Sequence, residues 1–342
     1  MSLSDYDIRI CRSEDCEDLM EFIDKYWRAG HPLAKSQALL DWQHRSPEGY
    51  NFLIARKGEE IHGIIGFIPT GQFDPALGSN DTWLTMWKVR EDVSPPSLGL
   101  ALLQAIRKRF TYASLGIVGS SEIAQAFYTK LGFHIGVMQQ HYMVNRKKDT
   151  FKLIGNFDGE YSAPCSSTEV SLKPIDGEQL LDFRFTPSVH PHKSPHYYYN
   201  RYLCHPSYSY QIFGILRHSQ PRGLLVVRKA TYLSSNAIRI VDLYGPAEAL
   251  QGASQALQGL LEDFDAEYLD FNQFGYNNQI FTEAGLLLRL PSSKVIVPNY
   301  FEPFEQRNVN IAVAFEGCGN YLIVKGDSDQ DRPNMVPVIE HG

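Results

Sequence analysis

The chain is poor in cysteine: 5 in 342 residues, at Cys11, Cys16, Cys165, Cys204 and Cys318. An odd, scattered set argues against a disulfide framework and fits a reducing cytoplasm. Cys11 and Cys16 are not spaced as a zinc pair, so all five read as structural thiols. No apolar run approaches the roughly 18 residues needed to cross a bilayer. The stretch from Met1 to Asp5 is polar and has no signal-peptide core. Positive charge is also short, with 32 Lys and Arg against 39 Asp and Glu, a net charge of -7. That balance counts against a nucleic-acid partner held by overall charge.

What remains is an ordinary soluble composition, 43% hydrophobic and 21% charged, in a chain longer than one core usually covers. Two domains are expected. Tyr6 to Cys11 alternates as a strand. Ser13 then caps a helix whose first turn carries Glu14, Asp15 and Glu17. A second helix carries Leu39, Leu40 and Trp42. Asn51–Arg56 and Ile61–Pro69 flank a Gly58 turn and read as a hairpin. A strand over Thr82–Val89, a helix over Ser97–Phe110, a strand over Ala113–Val118, a helix over Ser121–Leu131 stopped by Gly132, and a strand over Ile135–Val144 complete the set. The order is β-α-α-β-β-β-α-β-α-β, a mixed α/β sheet with helices on its faces.

A polar linker follows, and the order restarts. His190-Pro191 echoes His31-Pro32, Gly223 echoes Gly63, and Asn277 to Leu286 echoes Ser121 to Phe133, at a nearly constant offset. This divides the chain into 1–147, a linker over 148–167, and 168–342 with a C-terminal extension.

The sharpest motif is Ala124-x-x-Phe127-Tyr128-x-x-Leu131-Gly132-Phe133. It resembles the helix-and-turn signature of the GNAT superfamily of acyl-CoA N-acyltransferases. The resemblance covers roughly Tyr6 to Val144 and, more faintly, Glu169 to Leu290. It implies two tandem GNAT-like domains and acetyl-CoA or another acyl-CoA as co-substrate. It also implies transfer of a short acyl group to a small-molecule amine. Tyr128 falls where the family's tyrosine protonates the departing thiolate; a phenol is one of few side chains still protonated near neutral pH.

The family's pyrophosphate loop, Q/R-x-x-G-x-G/A, maps to Pro96-Ser97-Leu98-Gly99-Leu100-Ala101. Gly99 and Ala101 fit. Pro96 departs from the Gln/Arg position. Leu98, Gly99, Leu100 and Ala101 would present backbone N–H groups to the coenzyme A phosphates. Ser121 stands where the family commonly has Asn.

In GNAT folds the strand before this loop splays from its neighbour and pairs with the pantetheine arm. Alternation along that strand here puts Trp83, Thr85 and Trp87 on one face, a candidate acceptor side or sugar platform. Glu91, His31 and His62 are general-base candidates by neighbourhood. In the second half, Phe281 replaces Tyr128 and the long helix over Ala247–Phe264 lacks a G-x-G/A start. That half reads as a degenerate copy that shapes the acceptor site, with Asp242 on its acceptor side.

His190, His192 and His196 are close in sequence, but spacing alone brings no third or fourth ligand, and no metal is expected. Asp327-x-Asp329-x-Asp331 lacks the Gly and late Glu of a calcium loop and reads as a capped, solvated turn. This tail is similar to the endings of tandem GNAT-like proteins of bacterial surface-polysaccharide synthesis, which makes an amino sugar or its nucleotide conjugate a candidate acceptor. Two other readings compete. Fem-type transferases resemble this architecture and use aminoacyl-tRNA, for which the acidic charge is unfavourable. A non-enzymatic binding module is the reading that Pro96 favours. No motif fixes an oligomeric state.

Overall fold

The computed structural model describes residues 2–159, 161, 169–185, 189–300, 305–317 and 319–334. Cys165 and Cys318 lie outside them; Cys11, Cys16 and Cys204 are free thiols.

From the N-terminus, β1 (Asp7–Cys11) leads to α1 (Cys16–Phe22), which widens into a π-turn over Ile23–Trp27. Two short helices follow, α2 (Pro32–Lys35) and α3 (Gln37–His44). Then come β2 (Arg45–Ser46), β3 (Gly49–Lys57), β4 (Glu60–Pro69), β5 (Asp81–Val89), α4 (Leu98–Arg109), β6 (Ser114–Val118), α5 (Glu122–Lys130), β7 (His134–Val137) and β8 (Gln139–Val144). The order restarts with β9 (Val170–Pro174), α6 (Gly177–Asp182), β10 (Val189–His190), α7 (Pro195–Tyr198), β11 (Tyr210–Arg217), β12 (Gln220–Tyr232) and β13 (Ser235–Tyr244). It ends with α8 (Ser254–Asp263), β14 (Ala266–Phe274), α9 (Asn278–Glu283), β15 (Leu287–Leu288), β16 (Ala312–Gly317), β17 (Asn320–Tyr321) and β18 (Ile323–Val324).

All strands but β10 and β17, which pair with each other, build two mixed sheets of eight, as expected for two GNAT-like domains. Their paths are β1-β3-β4-β5-β6-β16-β7 and β9-β11-β12-β13-β14-β8-β15, with β2 pairing β3 and β18 pairing β14. Each sheet contains a strand from the other half of the sequence. β16 lies antiparallel between β6 and β7, and β8 lies antiparallel to β14. Ile135–Val144 is therefore not one strand, as its composition suggests. It breaks at Met138, whose N–H donates to Ile311 O at 2.8 Å, and the chain crosses to the second sheet.

The long helix expected over Ala247–Phe264 is also two pieces. A 3-10 turn over Ala247–Leu250 is followed by α8, and Gly252 between them sits at φ +79°. Both faces of the first sheet are covered. Leu98, Leu102 and Ile106 of α4 pack on one, while Leu19, Phe22 and Leu40 of α1 and α3 pack on the other. A third apolar cluster, containing Trp83, Tyr202, Val241 and Val313, joins the two sheets.

The C-terminal run is not a solvated turn. Residues 325–332 are buried between the sheets, and each acid meets a cation. Asp327 pairs with Lys193 at 2.8 Å, Asp331 with Arg228 at 2.9 Å, and Asp329 with Arg332 at 3.1 Å. Buried charges need such partners. Two of these cations lie about a hundred residues away or more, where no local pattern reveals them.

Candidate active site

β5 and β6 run parallel and pair from Asp81–Ser114 to Leu84–Ile117. There the ladder ends, although β5 continues to Val89. The cause is an extra residue in β5. Opposite β4, Ile65 faces Trp87 and Phe67 faces Leu84, so three steps on β5 match two on β4. Such a bulge bends a strand and ends its pairing. The second sheet repeats this: Val226 faces Asp242, Val227 faces Ile240, and the β13–β14 ladder ends at Ile240–Phe271. Each sheet thus has a wedge-shaped opening at its centre.

The bulge also corrects the expected facing of β5. Trp83 and Trp87 are not paired on one face. Trp83 is buried in the cluster between the sheets, edge-on to Tyr321 at 5.9 Å. Trp87 packs on the α4–α5 side, 5.8 Å from the Tyr128 ring and 5.4 Å from Phe127.

Tyr128 is held by the way α5 stops. Ser121 accepts from Ala124 N at 3.3 Å and starts the helix. At the other end Phe133 N donates to Tyr128 O and Gly132 N to Thr129 O, both at 3.1 Å, with Gly132 at φ +87°. This is a Schellman stop, and its apolar contact is the Tyr128–Phe133 ring pair at 5.0 Å. α9 ends identically: Leu286 N donates to Phe281 O, Gly285 N to Thr282 O, and Gly285 has φ +86°. The phenol of Tyr128 is buried, and desolvation alone raises its pKa above the usual tyrosine value.

The start of α4 lies beside Trp87. A Cβ built on Gly99 would sit 3.4 Å from the indole Nε1, so Trp87 touches both Gly99 and Tyr128. Leu98 is wholly buried under the sheet and its N–H goes to Pro95 O at 3.0 Å, while Ala101 N goes to Ser97 O. That leaves the amides of Gly99 and Leu100 as the orphan donors of a helix N-terminus. Two buried hydroxyls, Thr85 Oγ1 on β5 and Ser120 Oγ just past β6, have no partner. The structure therefore brings together Trp87, Gly99 and Tyr128, with Leu100 next to Gly99 at the start of α4. Thr85 lies instead beside Gly66 and Phe52 on the other face, Ser121 caps the far end of α5, and Trp83, His31 and Asp242 stand apart.

His31 is fully buried as the cap of α2. Its Nδ1 accepts from Leu33 N at 3.2 Å, and burial, then Arg332 and Arg28, push its pKa down to about 2. Its lone pair is already engaged and cannot take an acceptor's proton. His62 Nδ1 lies 3.1 Å from Tyr6 Oη, and Glu91 is exposed. Asp242 does not face an open acceptor side. It accepts from Lys193 at 2.8 Å, Tyr202 at 2.6 Å and Tyr198 at 3.0 Å. Burial opposes the Lys193 ammonium, but Asp242 and Asp327 outweigh it and keep Lys193 charged. Lys193 and Tyr198 form one wall of a cleft of about 480 Å³ beside the second opening, whose other walls include Leu243, Gly245 and Asn277.

Sequence reasoning missed the tail. β18 adds to β14 at Phe274–Ile323, and Gly326 N donates to Val241 O at 2.7 Å, inside the second opening. Ser328 Oγ reaches Leu84 O at 3.4 Å and Gln330 Nε2 reaches Val118 O at 2.9 Å, at the apex of the first. Backbone carbonyls that the parted strands leave free are thus bonded by one segment.

Neither family models nor curated protein sequences give a match to this chain. Solved structures do. A GCN5-related N-acetyltransferase from Anabaena variabilis ATCC 29413 superposes with a TM-score of 0.55 at 12% identity, covering 91% of this chain and 72% of that one. One from Kribbella flavida does so with 0.51 at 10% identity, covering 92% and 72%. At such identities the likeness shows the fold, which is that of the GNAT acetyltransferases. Among the described residues no helix is long and apolar enough to cross a membrane.

Proposed function

We propose that the protein is an acyl-CoA-dependent N-acyltransferase whose working site is the first opening, in the 1–147 unit, with the second unit as its degenerate companion. The observation that carries this is the bulge-driven parting of β5 from β6, with the free N-terminus of α4 and the Tyr128 phenol both beside it. The co-substrate would supply an activated thioester carbonyl. The residues fit such a group. The Gly99 and Leu100 amides offer donors to a diphosphate. Pro95 and Pro96 have no N–H to add, which concentrates that role on Gly99 and Leu100.

In the reaction an amine nitrogen attacks the thioester carbon, the C–S bond breaks, and the sulfur leaves with the bonding pair. The amine loses a proton and the thiolate gains one. Tyr128, kept protonated by burial, donates a hydrogen bond to the departing sulfur. The acceptor is proposed as a small amine. An amino-sugar conjugate rests only on the resemblance of the tail, since the two indoles do not form a stacking pair.

Turnover with acetyl-CoA and an amine panel tests this reading, comparing wild type with Tyr128→Phe. Phe281 shows that a phenylalanine is accepted at this position of the helix stop, so the variant should fold. A loss of roughly 100-fold in kcat is expected. Full turnover in the variant would remove Tyr128 from the mechanism.

The tail favours a second reading. It bonds Leu84 O and Val118 O at the apex of the opening, as expected of a module whose own C-terminus takes the place of a ligand. Failure of any acyl-CoA to bind would leave this one standing.

A further inference from the structure

The loop before α7 contacts both units at once. Val189, Pro191 and Lys193 line the cleft beside the second opening. The alternate residues, His190 and His192, turn the other way and meet Asp81 at the start of β5. His190 Nδ1 lies 2.7 Å from Asp81 Oδ1, and His192 Nδ1 lies 3.5 Å from Asp81 Oδ2. One donor atom from each of the three residues falls within 4.8 Å of the others. Asp81 is buried and oriented: Ser114 Oγ donates to Oδ1 at 2.5 Å and His192 N to Oδ2 at 2.8 Å. β10 pairs with β17, and Leu322 N bonds His190 O at 2.8 Å, so the first histidine is fixed as well. The His192 side chain is 45% exposed, which leaves the cluster one side open to water.

From this arrangement we propose a binding site for a divalent transition-metal ion of the zinc class, held by Asp81, His190 and His192 across the two units. Two imidazole nitrogens and one carboxylate oxygen are the hard-to-borderline donor set that Zn²⁺ takes, with ligand distances of about 2.0–2.2 Å. Ligands at that distance in a tetrahedron stand about 3.3 Å apart; here His190 Nδ1 is 2.7 Å from Asp81 Oδ1 and His192 Nδ1 is 3.5 Å from the other oxygen, Oδ2. Water from the His192 side completes the fourth position. Both Nδ1 atoms face the same carboxylate, whereas a hydrogen-bonded clasp needs only one. An ion would take both nitrogens and neutralise the buried Asp81. It would also fix the 189–193 strip, one edge of which is the cleft wall. Sequence spacing could not show this, because the third ligand is over a hundred residues away and in the other unit.

The test is titration of the metal-free full chain with Co²⁺ followed by visible absorption, and with Zn²⁺ in competition with a chromophoric chelator. Wild type and His196→Ala, a control at an exposed histidine outside the cluster, should bind one ion with the intense bands of tetrahedral cobalt. His192→Ala, at a half-exposed position that the fold tolerates, should lose those bands and bind at least about 100-fold more weakly. Asp81→Asn should do the same where its melting curve shows it folded. Equal binding by wild type and His192→Ala, or no tetrahedral spectrum in wild type, would overturn the proposal and leave the trio as a hydrogen-bonded clasp between the units.

Discussion

The side-chain amide of Gln330 donates to the main-chain carbonyl of Val118 at 2.9 Å. Val118 is the last residue of β6, where that strand has already parted from β5, so the C-terminal tail occupies the apex of the candidate acyl-transfer site. Gly119, the next residue, is at φ +81°, and a Cβ there would sit 2.4 Å from Gln330 Nε2. Gly119→Ala should therefore cost at least about 1 kcal/mol from backbone strain, and more from the clash. In a Gln330→Ala background the clash is gone, and denaturant unfolding should show a smaller penalty. An identical penalty in both backgrounds means that the tail does not press on Gly119 in solution.

Gly99→Ala separates stability from ligand approach. The added methyl meets Trp87 at ordinary contact distance, 3.4 Å, so the protein itself accommodates it. Removing a helical glycine should raise stability by about 0.4–1 kcal/mol. The same methyl adds bulk to the turn whose Gly99 and Leu100 amides are proposed to hold the diphosphate. Acyl-CoA affinity should fall while the melting temperature rises; a parallel fall in both contradicts this assignment.

His141 on β8 is fully buried against Phe281, and neither ring nitrogen has a partner. Burial lowers its pKa to about 4. With a folded value below the unfolded one, its contribution is present above about pH 6.5 and is lost as pH falls towards 4. His141→Leu should flatten the acid limb of the stability profile by up to about 1.4 kcal/mol per pH unit in that window. An unchanged slope would show that His141 is solvated in the native state.

Asp331 anchors the tail. Burial opposes its charge, but Arg228 overrides that and holds its pKa below the usual carboxylate range, with Tyr210 donating at 2.7 Å. Asp331→Asn should destabilise by about 3 kcal/mol at neutral pH, read by chemical unfolding. A loss under about 1 kcal/mol would place this end of the tail in solvent.

The sequence was most informative where structure is local. The α5 stop could be read from Gly132 and Phe133 because a Schellman motif is written within six residues. The β3–β4 hairpin could be read from the Gly58 turn for the same reason. The exchange of β8 and β16 could not, because Tyr142 and Asp270 meet only through pairing between distant segments. Nor could the bulge at Thr85–Met86, which depends on register with β4 and flips Trp87 away from Trp83. Asp327, Asp329 and Asp331 had the composition of a surface turn. Their burial is visible only beside Lys193 and Arg228. At the candidate site, Tyr128 and Gly99 stand out in their motifs, while the contact of both with Trp87 and the tail at the apex show only in tertiary contacts.

Isothermal titration of the full chain with acetyl-CoA, run beside Gly99→Ala under the same conditions, decides whether the first opening is a coenzyme A site. One site per chain is expected in wild type, with weaker affinity in the variant. Absence of binding at millimolar cofactor, or equal binding by both proteins, would contradict this assignment.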